Sequence, residues 1–435
     1  MKNQIKFTMI GAGMLLTAFA WAEPPAAPML YVSPDGPQVH FYWDEVPGAE
    51  NYTILASDLA SGSLFGEFDM GDSSRITAEL SAGSSFFVSV RAENADGSSA
   101  YSIPRQLVVS ADASTPSVEQ VIQNYAGNVI YNTYRDLADR AEKLNAAVVK
   151  LRFETNNINL STAQQQWVNT RRPWEQSEAF LFGPVDTEGL DPAMDSWPVN
   201  STDLQNLLDG DTALTVESAS AFSDDLKGFH VIEFLLFGQD GDKTSAEFTE
   251  RELMYLGAVT NVLANDTERL AQGWNPNDGN FLAEFAQAGI GSAIYTSQTA
   301  ALQEMIEGMI GIAGELASVK LEDPTRLRDA TLVESQFSFN SRADFMDNVR
   351  SIRNVYTGNY LLSEGPGLNA LVKSVNPTLD ETINSQIEAA IATINAIPQP
   401  FAEAILSSPA DVQTAVDAVN ALLVTLSNQL SPLAQ

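Results

Sequence analysis

Gly228-Phe229-His230-Val231-Ile232-Glu233-Phe234-Leu235-Leu236-Phe237-Gly238 is apolar on every face except at two positions. His230 and Glu233 are three residues apart, the spacing that sends two side chains out of the same side of a helix. The Phe, Leu, Ile and Val residues around them leave little water to solvate a charge, and a buried charge without a partner is costly. The pair must therefore be hydrogen-bonded, ion-paired or bound to a metal. Gly228, at the start, lets the backbone bend or a neighbour approach closely.

Helical texture extends from this segment in both directions. Thr115-Pro116 offers an N-cap followed by proline at the first helical position, and the apolar residues from Val118 to Leu151 recur with helical spacing. Ser161 is placed to cap a helix reaching toward Phe182. Thr249-Glu250-Arg251-Glu252 has capping-box spacing, and Ser408-Pro409 starts the last helix. No segment after the linker Ser110-Ala111-Asp112-Ala113-Ser114 shows strand alternation, so long amphipathic helices packed as bundles are expected.

The N-terminal part reads differently. Lys2 and Lys6 precede an apolar run from Phe7 to Phe19 that ends in Ala20-Trp21-Ala22, the pattern of a secretory signal peptide cleaved before Glu23. From Pro28 to Ser110, runs such as Gln38-Val39-His40-Phe41-Tyr42-Trp43 and Ser85-Phe86-Phe87-Val88-Ser89-Val90 alternate as strands do. With the Pro47-Gly48 turn between Trp43 and Tyr52, this segment resembles a fibronectin type III domain with Trp43, Tyr52 and Phe87 as core aromatics. Such a sandwich presents surfaces to partners, so an envelope protein partner is expected there. His40 reads as a structural histidine.

Composition narrows the chemistry. The formal charge of the 435-residue chain is −33, and loss of residues 1–22, which carry two Lys and no acid, makes the remainder more negative still. Such a surface repels phosphate, so nucleic acid is not an expected partner. The chain has no cysteine, which excludes disulfides, thiolate metal sites and a lipid anchor on a cleavage-site cysteine. No transmembrane span is expected after signal cleavage, and the protein is expected in the periplasm or at the cell surface.

Several blocks carry a family resemblance. Gly228-x-His230-x-x-Glu233 within Gly-Phe-His-Val-Ile-Glu-Phe-Leu-Leu-Phe-Gly-Gln-Asp is similar to the GxHxxE signature of the imelysin family. Trp167, Arg172 to Phe180, Phe182-Gly183-Pro184 and Asp195-Ser196-Trp197-Pro198 resemble its upstream block; Ser335 to Asp344 and Ile352 to Gly358 resemble its second-half block. The chain looks most similar to the iron-regulated branch. The resemblance implies an all-α domain of two helical-bundle halves, with the motif near their junction. The expected order is then signal peptide 1–22, fibronectin type III-like β-sandwich 23–110, linker 111–117 and imelysin-like domain 118–432.

The family is catalogued as peptidases, yet a zinc peptidase usually needs three protein ligands, an open position for water and a general base. Only two His are present in the whole chain, no H-E-x-x-H occurs, and Glu233 would have to serve as ligand or as catalytic base. One imidazole with carboxylates suits ferrous or ferric iron, manganese or weakly held zinc. A di-iron oxidase would draw a second His that the helical region lacks. Iron is the favoured metal, with His230, Glu233 and Glu178 as ligands. Glu178 enters because the resemblance places a functional acid in its block. Gly228, Arg172, Asp242, Glu247 and Ser338 are supporting candidates, with Asp344 approaching from the second half. The leading expectation is binding of a metal or small ligand in iron uptake or homeostasis. A metallopeptidase and an adhesion or assembly module are the alternatives.

Overall fold

Among the described residues, eight strands come first: β1 (Leu30–Asp35), β2 (Gln38–Trp43), β3 (Asn51–Asp58), β4 (Leu64–Gly71), β5 (Arg75–Glu79), β6 (Ser85–Asn94), β7 (Gly97–Ser98) and β8 (Arg105–Val108). They pair antiparallel into two sheets, one in the order β1-β2-β5 and one in the order β4-β3-β6-β7 with β8 also on β6. This computed structural model describes residues 24–434 apart from 26, 29, 36, 44, 45, 47, 59–63, 103, 110–115 and 362. The expected signal peptide and residues 111–115 of the expected linker lie outside the described residues.

Period-two alternation builds the core between the sheets. Val39, Phe41 and Trp43 of β2 meet Tyr52 and Ile54 of β3 and Val88, Val90 and Ala92 of β6. Trp43 and Tyr52 pack with their rings tilted at 56° and centroids 5.7 Å apart, and the Tyr52 hydroxyl accepts the Val46 N–H at 2.8 Å. Phe87 departs from expectation. It alternates to the opposite face of β6 from Val88 and Val90, and buries itself against Tyr131 of the helical region, 6.3 Å between centroids. It serves the joint between the two regions instead of the β core. His40 is exposed on β2 with Nδ1 2.8 Å from Thr77 Oγ1.

From residue 118 onward the chain is helical. Ser117 is the first N-cap, because Ser117 and Gln120 satisfy each other's backbone N–H groups at 2.9 and 3.1 Å. Helix α1 (Val118–Asn124) runs through a π-helical stretch, Tyr125–Tyr131, into α2 (Asn132–Phe153). Next come α3 (Asn157–Glu175), α4 (Leu190–Asp195), α5 (Gly228–Phe237) and α6 (Glu250–Trp274). Asn156 caps α3, so Ser161 lies within that helix and the helix stops short of Phe182. Thr249 and Ser408 do take the N-cap positions that their spacing predicts.

Helices α2, α3, α5 and α6 pack on one another as a first bundle. A second gathers α7 (Gln298–Glu315), the π-helical stretch Leu316–Glu322, α8 (Ser341–Thr357), α9 (Pro377–Ala396) and α10 (Pro409–Thr425). The bundles meet where α3 lies against α8. A polar seam also joins them: Asn124 and Asn128 both donate to the carbonyl of Gly358, at 2.7 and 3.0 Å.

Gly228 sits at φ +78°, a region that L side chains rarely adopt, and a Cβ there would collide with the Met194 carbonyl of α4. Gly228→Ala is therefore expected to destabilise the protein by at least ~2 kcal/mol, combining a left-handed backbone penalty with a backbone clash. Urea unfolding of the two proteins checks this, and an unchanged midpoint would contradict it.

Candidate functional site

The end of α3 supplies the centre of a buried charge cluster. Arg171 is entirely buried because it is four residues after Trp167 and three before Trp174, on the apolar face of the helix. Its Nη1 donates to Asp195 Oδ1 and its Nη2, at 2.9 Å, to Glu334 Oε1, while Nη2 also forms an ion pair with Glu175 Oε1. Its Nε lies 3.8 Å from Asp344 Oδ1. One guanidinium thus faces four carboxylates, two of them from beyond residue 330. Lys320, also buried, places Nζ 3.1 Å from Glu334 Oε2 and 3.9 Å from Glu175 Oε2.

His230 stands beside this centre. Its Nδ1 is 3.1 Å from Glu233 Oε2, and its Nε2 is 3.2 Å from Asp195 Oδ1 and 3.9 Å from Glu334 Oε1. The Nε2 contact is short but not aligned as a hydrogen bond, so that nitrogen has no hydrogen-bond partner. Glu233 is fully committed: Oε1 accepts from Phe337 N at 3.0 Å and from both N and Oγ of Ser338 at 2.7 Å. These bonds hold the loop Val333–Asn340, in which Ser335 and Phe339 adopt positive φ of 50° and 61°. Non-glycine residues in that conformation persist only where surrounding contacts impose it.

Asp195 is fixed from the other side by Trp174 Nε1, which donates to Oδ2 at 2.6 Å. The half-exposed Trp197 ring lies 6.5 Å from the His230 ring, between centroids. Burial alone would lower the His230 pKa; contact with the Asp195 and Glu233 carboxylates outweighs it and raises the value to about 9. For Asp195, burial acts upward, but Arg171 and His230 hold its carboxyl well below the usual range. Burial pushes Asp344 up to about 7 despite Arg171, and drives Glu175 and Glu178 well above the ordinary carboxylate range.

The arrangement suits a cation. Glu175, Glu178, Asp195, Glu233, Glu334 and Asp344 are all buried, against two permanent positive charges, Arg171 and Lys320. Ligand atoms of Asp195, His230 and Glu334 lie within 4.8 Å of one another, as do those of Glu175, Glu178 and Asp195. Bonds of about 2.0–2.2 Å to nitrogen and oxygen would need only a small contraction of either group. Glu233 orients His230 through Nδ1 and leaves Nε2 facing the carboxylates, the usual support for a metal-binding imidazole.

The expected site residues separate clearly. His230, Glu233, Ser338, Gly228 and Asp344 converge here, and Glu178 is buried one turn beyond α3 beside Glu175 and Asp195. Arg172, Asp242 and Glu247 are exposed. Arg172 points away because helical phase gives the interior to its neighbour Arg171, and Glu247 Oε2 caps Thr244 N at 2.7 Å. Arg171, Glu175, Asp195, Lys320 and Glu334 join the cluster without being site candidates on the sequence, although Glu175 and Asp195 lie in the upstream block of the family resemblance. Phase against Trp167 and Trp174 could have found Arg171 and Glu175, while nothing local marks Lys320 or Glu334.

The sequence model described as Imelysin (Peptidase_M75) matches residues 130–429. Iron-regulated protein A of Synechococcus elongatus is 31% identical over 328 residues, covering 73% of this chain and 86% of that protein. A solved structure described as an iron-regulated protein A precursor, from Parabacteroides distasonis, is 30% identical with a TM-score of 0.64, over 71% of this chain and 93% of that one. An imelysin-like protein from Psychrobacter arcticum shares the fold at a TM-score of 0.61 and 16% identity, over 74% of this chain and 96% of its own. With the helical domain from residue 118 onward preceded by β-sheets, and the matched span covering more than half its length, this chain belongs to the imelysin family.

Proposed function

We propose that the protein binds a metal ion, iron favoured, at His230 Nε2 with Asp195 and Glu334, and contributes to iron uptake or homeostasis outside the cytoplasm. The observation that carries this is a buried imidazole nitrogen without an aligned hydrogen bond, 3.2 Å from Asp195 and turned toward a carboxylate-rich cluster; a metal there takes the place of the proton that the carboxylates favour on the ring. One nitrogen among oxygen donors suits ferrous or ferric iron and manganese better than a thiolate-preferring metal. The relatives named for iron regulation support the choice of iron. Glu233 acts by orienting His230, and Glu178 with Glu175 offers carboxylates on the far side of Asp195.

Export is supported by the Lys2, Lys6 and Phe7–Phe19 pattern of the N-terminus. Among the described residues, no helix is long and apolar enough to cross a membrane. The N-terminal sheets fit a fibronectin type III-like sandwich, since strands one, two and five face strands four, three, six and eight across one core. A sandwich at that position is suited to an envelope partner. The peptidase alternative is weakened by Glu233, whose Oε1 already accepts three hydrogen bonds and whose Oε2 faces His230. Such a carboxylate is poorly placed to activate water.

Equilibrium titration with ferrous, ferric, manganese and zinc ions tests the proposal. His230→Ala is expected to weaken binding by at least ~100-fold, and Glu233→Gln by about 10–100-fold through loss of imidazole orientation. Arg172→Gln, Asp242→Asn and Glu247→Gln should leave affinity unchanged. Wild-type affinity in His230→Ala would remove the site. For the peptidase reading, chelator-sensitive proteolysis abolished by Glu233→Gln is the contrary result to look for.

A further inference from the structure

A cleft of about 550 Å³ opens where the β-region meets the helical domain, remote in sequence from the His230 cluster. Leu30, Tyr101 and Arg105 form its β side, and Arg135, Asp139 and Lys143 of α2 line the helical side at successive four-residue steps. That volume falls within the usual range for small-molecule sites, which favour domain interfaces.

Its charge is unusual for this chain. Three basic side chains and two acidic ones, Asp139 and Glu268, line it, in a protein of net charge −33. Glu268 is taken by Arg135, whose Nη1 meets both its oxygens at 3.0 and 3.2 Å. Arg105 is 1% exposed, yet among the described residues it forms no ion pair; its Nε donates to Leu30 O at 3.1 Å and its Nη1 has no partner. A buried guanidinium without an acid is an expensive arrangement. Lys143 is exposed and forms no close ion pair among the described residues, although its charge acts, with that of Arg135, on Asp139 one turn before it. The overall negative field is screened beyond about 8 Å at physiological ionic strength, so the nearby cations decide what the cleft attracts.

The walls add the second half of the specificity. Tyr101 is held in place by its hydroxyl, which donates to Glu67 at 2.7 Å, and by Arg91 stacked 4.8 Å from its ring centre. Tyr131 and Leu30 add apolar wall beside the polar groups, in a cleft with room for more than a bare inorganic ion. We infer that this interdomain cleft binds a small organic oxyanion, a carboxylate or phosphomonoester on an aromatic or apolar body, with Arg105 and Lys143 receiving the charge. The site is independent of the metal reading, and it would make ligand binding a property of the joint between the two regions.

Titration calorimetry of the full chain with phenylacetate, phenyl phosphate and inorganic phosphate tests the inference. At least one of the two aromatic probes should bind with Kd of about 1 mM or tighter, and inorganic phosphate more weakly. Arg105→Gln should weaken binding at least ~10-fold, as expected for loss of a charge-assisted contact. Lys143→Glu, at an exposed position that cannot disturb the core, should weaken it as well. Saturable binding lost in Lys143→Glu supports the cleft even where Arg105→Gln fails to fold. Absence of binding by both aromatic probes, or unchanged affinity in Lys143→Glu, overturns it. Preference between the two aromatic probes identifies which oxyanion is the better fit.

Discussion

The guanidinium of Arg171 is the element on which the helical domain depends. At 4 Å, two unit charges interact by about 4 kcal/mol at an effective dielectric of 20, and removing one partner from a buried pair costs about 3–5 kcal/mol. Arg171 faces four carboxylates at once, so the cost of leaving any of them alone is shared through a single side chain. The first bundle brings Arg171 with Glu175, Asp195 and Glu233, while the second brings Lys320 with Glu334 and Asp344. Each set carries more acid than base, and docking α3 against α8 brings Glu334 and Asp344 of the second onto Arg171 of the first.

Around that centre, geometry divides the labour between the two motif residues. Glu233 has no oxygen to spare, because it ties the Phe337–Ser338 backbone and His230 Nδ1 together. Its role is to set which imidazole nitrogen is presented and to hold a loop with two residues in the left-handed region. His230 Nε2 is left facing Asp195 and Glu334. Gly228 belongs to the same device: its absent Cβ lets α4 approach, and α4 ends in Asp195.

The β-region is joined to the helices by specific contacts as well as by chain continuity. Phe87 turns outward from its own sheet to meet Tyr131, and Gln106 of β8 lies where a side chain on Gly127 would stand. A glycine in the π-helical stretch is thus required by close approach from another region. The Asn124 and Asn128 side chains then pass the connection on to Gly358 in the second bundle. The N-terminal region is in this way continuous, through an aromatic contact, a close approach and then buried amide hydrogen bonds, with the joint between the bundles.

By itself, the sequence determined the local facts: strand alternation before residue 110, helical periodicity after 118, and a His–Glu pair on one face of an apolar helix. Those follow from periodicities of 2.0 and 3.6, which neighbouring residues carry. Helical phase also contained Arg171, since its spacing from Trp167 and Trp174 sets it inside and turns Arg172 outward. Only the tertiary structure decided which of the 56 acids would meet His230. Glu334 lies more than a hundred residues from the imidazole it faces, and Lys320 reaches the cluster from a different helix. Charge pairing across such separations depends on how two bundles dock, and no local pattern along a chain records that.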